Sequence, residues 1–203
     1  MKSYHIKEGY TPRLEYHQYD NTPMTDEFQK EVYEKARKIC DKNKFNKILD
    51  IGCGSGYKLV KYFRDKKFTG LELEPNLSFL KDKHPFFDFR LSDFQNPPKE
   101  KFDLVICSDV VEHLIEPDDL IEFIKKINFD CLVLSTPDRD IIQQLQMSFG
   151  WNVELNGPPH NKHHVREWTS NEFGVYIGQH FNIVEHYCAP VQKECQIVVA
   201  KKK

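Results

Sequence analysis

Two hydrophobic rhythms take turns along this chain. Short runs rich in β-branched and aromatic residues fall near 46–51, 67–72, 86–91, 102–107 and 130–135, with helical stretches between most of them. Runs this short and apolar read as strands buried on both faces, and their alternation with helices predicts a parallel, doubly wound α/β sheet. Ahead of them Phe28, Val32, Ala36 and Ile39 recur at helical spacing behind Thr25-Asp26-Glu27, an N-cap followed by acids. A helix is expected to start there and lay one face on the sheet. Glu116-Pro117-Asp118-Asp119 opens another helix, whose apolar face is Leu120, Ile121, Phe123, Ile124 and Ile127. Thr169-Ser170-Asn171-Glu172 has the form of a capping box and predicts a helix over about 170–180. Phe181 to Cys188 and Gln196 to Ala200 then read as two strands with a short connection, an antiparallel hairpin.

A length of 203 residues suits one α/β domain with modest extensions. Residues 1–24 are aromatic, polar and Pro-containing and read as an N-terminal arm; residues 25–203 read as the domain, without internal repeats. The formal net charge of −2 supplies no field for nucleic acid or an anionic membrane. Six cysteines, at 40, 53, 107, 131, 188 and 195, form no Cys-x-x-Cys pair, and several sit inside strand-like runs, as free thiols do in a reducing compartment. The N-terminus has no apolar signal core, and no run approaches membrane-spanning length. The expectation is a cytoplasmic protein without membrane insertion.

Chemistry enters where the first strand ends. Lys47-Ile48-Leu49-Asp50-Ile51 runs into Gly52-Cys53-Gly54-Ser55-Gly56, a tight strand-to-helix turn that lets a ligand approach bare backbone and helix N-terminal amides. Glu72 closes the second strand, twenty residues beyond Gly52, where an acid in a doubly wound sheet accepts from ribose hydroxyls. The glycine spacing is too short for the dinucleotide fingerprint. Instead, Asp-x-Gly-x-Gly-x-Gly resembles the first motif of class I S-adenosylmethionine-dependent methyltransferases. That resemblance implies a Rossmann-like, seven-stranded sheet, mostly parallel with a C-terminal antiparallel hairpin, and S-adenosyl-L-methionine as cofactor. It implies that Asp50 helps hold the methionine amino group, with Gly52, Cys53, Gly54 and Gly56 around the amino-acid portion. Glu72 and Leu73 would lie at the ribose, Ser92, Asp93 and Phe94 at the adenine, and Ser108 at the end of the fourth strand.

Beyond that strand Asp109, Glu112 and His113 stand at i, i+3 and i+4, so one helical turn would put them on one face. Their complement is a loop with a histidine cluster, Pro158 to Trp168. Glu-His-Leu after the fourth strand, Ser135-Thr136-Pro137 after the fifth, and His-x-x-Glu-Trp-Thr-x-x-Glu-Phe further on resemble two methyltransferase groups. One is the small bacterial enzymes that accompany surface-polysaccharide and glycan biosynthesis; the other is the metal-dependent small-RNA 3′-terminal 2′-O-methyltransferases. By position Glu112, His113 and His164 match three metal ligands of the latter. Asp109 stands where the fourth, a glutamate, would be, one methylene shorter. The resemblance thus implies a divalent cation, Mg²⁺ or Mn²⁺ among others; without one, His113 or His164 is the favoured general base.

The reading is an O-methyltransferase acting on a sugar, sugar nucleotide or related metabolite, so the expected partner is a small-molecule or saccharide acceptor, with nucleic acid disfavoured by charge. An RNA 2′-O-methyltransferase, a small-molecule N-methyltransferase and a non-catalytic cofactor-binding subunit stay open as alternatives. Tyr10, Arg13, Tyr16, His17 and Tyr19 make the arm either a lid over the cofactor or an anchor to the sheet edge. Arg139, Lys162 and Arg166 are candidates to hold an acceptor's phosphate or carboxylate, and Trp151 and Trp168 are expected to pack under the loop.

Overall fold

The computed structural model describes residues 2–15, 22–25 and 28–203. Tyr16, His17 and Tyr19 of the arm, and Asp26 and Glu27 of the expected helix start, lie outside the described residues. The elements are α1 (Lys30–Asn43), β1 (Lys47–Ile51), α2 (Tyr57–Phe63), β2 (Lys67–Glu72), α3 (Asn76–Lys83), β3 (Asp88–Leu91), β4 (Lys101–Ser108), α4 (Pro117–Lys126), β5 (Asn128–Pro137), α5 (Arg139–Ser148), α6 (Ser170–His180), β6 (Phe181–Cys188) and β7 (Cys195–Lys202). They build one seven-stranded sheet of order β3-β2-β1-β4-β5-β7-β6. β1 to β5 run parallel, and β7 inserts antiparallel between β5 and β6. The order reverses between β1 and β4, which opens a crevice at their carboxyl ends.

Strand periodicity sorts the core into two layers. Ile48, Leu104, Ile106 and Val133 pack beneath Val32, Ala36, Leu59, Phe63 and Leu80 on one face. Leu49, Ile51, Val105 and Leu132 pack against Leu120, Phe123, Ile124, Phe173 and Ile177 on the other. With both faces covered, the central strands are apolar throughout, as parallel strands must be. Asp50 stands out for that reason: a carboxylate at 0 % exposure inside β1.

Three expectations change. α1 starts at Lys30, because Gln29 before it takes a left-handed backbone (φ 60°) and gives no side-chain cap; Phe28 is 59 % exposed rather than part of the buried face. β3 starts at Asp88, leaving Phe86 in solvent. The residues after β4 form only a short 3-10 turn, Val111–His113, instead of a helical turn. The capping box at α6 is present: Glu172 N–H donates to Thr169 Oγ1 (3.3 Å), and Thr169 N–H to Glu172 Oε2 (2.8 Å). The six cysteines are free thiols, five of them buried. Among the described residues no helix is long and apolar enough to cross a membrane.

Candidate active site

The turn after β1 owes its shape to left-handed backbone at Gly52, Gly54 and Gly56 (φ 74°, 58° and 70°). A Cβ on Gly52 would lie 2.5 Å from Val110 Cγ2, and one on Gly56 2.6 Å from Leu80 Cδ2. Gly56 therefore also makes room for Leu80 of α3. Gly56→Ala is expected to cost roughly 1–3 kcal/mol of stability through overpacking and backbone strain, checked by urea unfolding.

Beneath the turn, Asp50 Oδ2 accepts from the buried Tyr33 hydroxyl of α1 (2.9 Å), while Oδ1 has no partner among the described residues. Burial pushes this carboxyl up to about 7 despite the Tyr33 bond. Glu72 ties β2 to the glycine turn: Oε2 accepts from Gly54 N–H (2.6 Å) and Oε1 from Leu73 N–H (2.9 Å). Burial raises this group as well. Cys53 is buried and its thiol pushed well up, hence protonated. Leu73 is 41 % exposed at the end of β2. After β3, Ser92 is buried with an unpartnered hydroxyl, and Phe94 packs on Phe123 with ring centres 5.5 Å apart. Asp93 lies in an exposed turn, where Oδ1 accepts from Gln95 and Asn96 N–H and Oδ2 from the Asn96 amide; these bonds hold it below the usual carboxylate range.

A cavity of about 380 Å³ joins the glycine turn to the loop before α6. Gly52, Cys53, Gly54 and Ser108 line one side, and Asp109, Glu112, His113 and His164 line another. Lys58 of α2, Ile142 of α5, and Gln192 and Glu194 from the β6–β7 turn complete the walls. That turn is fastened to α1, since Val191 and Gln192 N–H both donate to Glu31 Oε2 (3.1 and 2.8 Å).

Ligand atoms of Glu112, His113 and His164 all lie within 4.8 Å of one another, the one such group among the described residues. Glu112 is fully buried; Oε2 accepts from Thr136 Oγ1 (3.0 Å), and Oε1 has no partner among the described residues. Burial, and after it the nearby Asp109, push its carboxyl well up. His113 Nδ1 lies 2.9 Å from the His163 carbonyl, which can only accept, so the ring's Nε2 is left as a lone pair 4.0 Å from Glu112 Oε1. Burial, reinforced by His164, lowers His113 to about 4 and keeps it neutral. His164 Nδ1 lies 2.6 Å from Glu167 Oε1. Asp109 is outside the trio; its backbone is left-handed (φ 52°) and its Oδ1 accepts from Ser135 Oγ (2.5 Å), which also meets Ser108 Oγ (2.9 Å).

The described part of the arm meets the loop before α6. Thr11 N–H donates to Asn156 O (2.7 Å), Arg13 N–H to Val165 O (2.8 Å), and the Arg13 guanidinium to Pro159 O (2.6 Å). Trp168 is fully buried, stacked on Tyr176, with its indole N–H on Tyr4 O (3.0 Å); Trp151 instead stands half-exposed beside His160. Arg139 and Arg166 are buried, Arg139 paired with Glu172 and Arg166 with the Leu114 and Ile115 carbonyls, and neither lines this cavity. Lys162 is exposed.

A family model described as a methyltransferase domain matches residues 19–186. The chain belongs to the methyltransferase domain family. It is a class I S-adenosylmethionine-dependent methyltransferase domain in fold and in the motif at its glycine turn. The domain is 24 % identical over 178 residues to the mitochondrial ubiquinone biosynthesis O-methyltransferase of Saccharomyces cerevisiae, covering 81 % of this chain and 57 % of that one. It is 26 % identical over 181 residues to the malonyl-[acyl-carrier protein] O-methyltransferase of Calditerrivibrio nitroreducens, covering 82 % and 64 %. The chain thus spans less than two thirds of these curated relatives. Among solved structures it resembles the small RNA methyltransferase HEN1 in fold, with a TM-score of 0.65 at 20 % identity over 93 % of this chain and 27 % of that one.

Sequence reasoning missed several residues of the site. Tyr33, Lys58, Gln192 and Glu194 reach the cavity from α1, α2 and the hairpin, and nothing local marks them. Glu167 carried a signal, its i+3 spacing from His164.

Proposed function

We propose that this domain transfers a methyl group from S-adenosylmethionine to a hydroxyl oxygen of a small polyhydroxylated acceptor, a sugar or sugar nucleotide in glycan biosynthesis. One observation carries the reading: Glu112, His113 and His164 converge on the cavity that the glycine turn opens into. An aliphatic hydroxyl needs a base or a cation to lose its proton, whereas a neutral amine needs neither.

The residues present fit both groups that the family implies. Asp50 Oδ1, buried without a partner, suits the ammonium of the cofactor's methionine end, and Gly52 to Gly54 offer bare backbone beside it. Glu72 accepts from Gly54 N–H, Leu73 N–H and the Asn76 side chain, and of the roughly four lone-pair sites of a carboxylate one is left for a ribose hydroxyl. The cofactor supplies an electrophilic methyl group. Glu112 Oε1, unpartnered, with His113 and His164 forms a carboxylate–imidazole set suited to a divalent cation, which would lower the pKa of a coordinated hydroxyl. Asp109, on the same cavity wall and raised by burial, is the carboxylate placed to take the acceptor's proton.

Lys58 is the one lysine or arginine among the described lining residues, which favours a neutral polyol over a phosphate backbone. The ribose 2′-hydroxyl at an RNA 3′ end is the second reading, favoured by the Glu112-His113 pair and by His164 four residues before Trp168. Incubation with labelled cofactor, sugars, sugar nucleotides and short RNAs separates the two. Saccharide labelling is expected, falling at least about tenfold in EDTA and restored by Mn²⁺ or Mg²⁺. Labelling of RNA alone would select the second reading, and full activity in EDTA after dialysis would remove the cation. Methylation of amines only would overturn both.

A further inference from the structure

A carbonyl fixes the tautomer of His113, but His164 has a less obvious determinant. His163 N–H donates to Asn161 Oδ1 (3.0 Å). A backbone amide is always a donor, so this bond fixes which end of the Asn161 amide is oxygen and turns its NH₂ toward His164. That NH₂ lies 3.0 Å from His164 Nε2, and two donors cannot face each other, so Nε2 carries the lone pair. The ring proton is then on Nδ1, directed at Glu167 Oε1 2.6 Å away. Glu167 is itself buried and fixed at both backbone ends: its N–H donates to the Tyr10 hydroxyl (3.2 Å), and its carbonyl accepts from Arg139 (3.0 Å).

We infer that Asn161 and Glu167 are positioning residues that hold His164 as the Nδ1–H tautomer and present its Nε2 lone pair to the cavity. The assignment stands on the hydrogen-bond chain alone. Its use, as a ligand or a proton acceptor beside Glu112 and His113, rests on the function proposed above. The two residues act in opposite senses on that lone pair. Glu167 orients the ring and aims that lone pair outward, as a carboxylate behind a ligating histidine does. Asn161 occupies it in the free protein and has to let go before anything else can bind there.

The test is a long-range ¹H–¹⁵N spectrum of imidazole-labelled protein at about pH 8.5, where imidazoles are neutral, with His164→Gln to assign the signal. Wild type is expected to show His164 with the proton on Nδ1. Glu167→Ala combined with Asn161→Ala should free the ring to move its proton to Nε2, while His113 stays unchanged on the His163 carbonyl. Glu167→Gln in place of Glu167→Ala, which keeps an acceptor oxygen, should restore the wild-type pattern. A wild-type proton on Nε2, or an unchanged Nδ1–H signal in the double variant, would overturn the assignment. If the double variant does not fold, Asn161→Ala at its exposed position decides: Nδ1–H should persist on Glu167, and a proton on Nε2 counts against the chain of bonds. Mn²⁺ titration followed by electron paramagnetic resonance supplies the second readout. Glu167→Ala should weaken Mn²⁺ at least about tenfold, and Asn161→Ala should tighten it about fivefold, one competing hydrogen bond being gone. Changes of the same sign in both variants would show a merely structural role. A wild-type protein that shows the tautomer but binds no Mn²⁺ would sink the cation and leave this assignment standing.

Discussion

Asp50→Asn is expected to raise the melting temperature of the free protein while abolishing measurable binding of S-adenosylmethionine or its demethylated product. The two effects have one cause. In the fold, burial holds the Asp50 carboxyl up to about 7, and the Tyr33 hydroxyl offsets only part of that. In the unfolded chain the same group ionises near about 4. Between those values the folded protein keeps a proton that the unfolded chain has released. Stability from this group therefore falls as pH rises from about 4 to about 7 and stays reduced above. Asn carries no charge at any pH, and Tyr33 still finds an amide oxygen. Calorimetry should show a gain of at least about 3 °C at pH 8 that vanishes near pH 4. The cofactor's ammonium needs the ionised carboxylate, so wild-type affinity should climb with pH through about 7 and then level. An asparagine variant that binds like wild type would end the assignment of Asp50.

Glu112→Gln is expected to lower turnover at least about 100-fold with cofactor affinity unchanged. The substitution keeps the volume, and Thr136 can still donate to the amide oxygen, so the fold should survive. What goes is the one buried carboxylate oxygen left without a partner inside the Glu-His-His group. Calorimetry with the demethylated cofactor and Mn²⁺ titration separate the effects: the first should match wild type and the second should be lost. Turnover within about threefold of wild type would place the chemistry elsewhere on the cavity wall.

Much of the fold was legible in the sequence because its strands are buried on both faces, which forces apolar runs such as Leu104 to Cys107 and Leu132 to Leu134 between helices. The capping box at Thr169 was legible because it is local chemistry, four residues satisfying one helix end. The start of α1 was not. Thr25-Asp26-Glu27 carries helix-start chemistry, yet the chain enters α1 through a left-handed Gln29, a choice of tertiary packing that no spacing announces. The acids divide in the same way. Glu112 and His113 are adjacent in sequence, so their pairing follows from one turn. The partners of Asp50, Asp93 and Asp109 are Tyr33, the Gln95–Asn96 turn and Ser135, and the first and last of these come from other elements.

The fastening of the β6–β7 turn to Glu31 gives α1 a double duty. Two residues along from the glutamate that tethers the turn, Tyr33 holds the carboxylate under the glycine loop. In the proposed function, one rod would therefore set both the height of the floor on which the donor sits and the reach of the wall that sorts acceptors. Retargeting the domain by grafting a relative's hairpin alone would leave the new turn without its tether. A working chimera has to exchange that helix and the hairpin together, and accept that donor affinity will drift with acceptor choice.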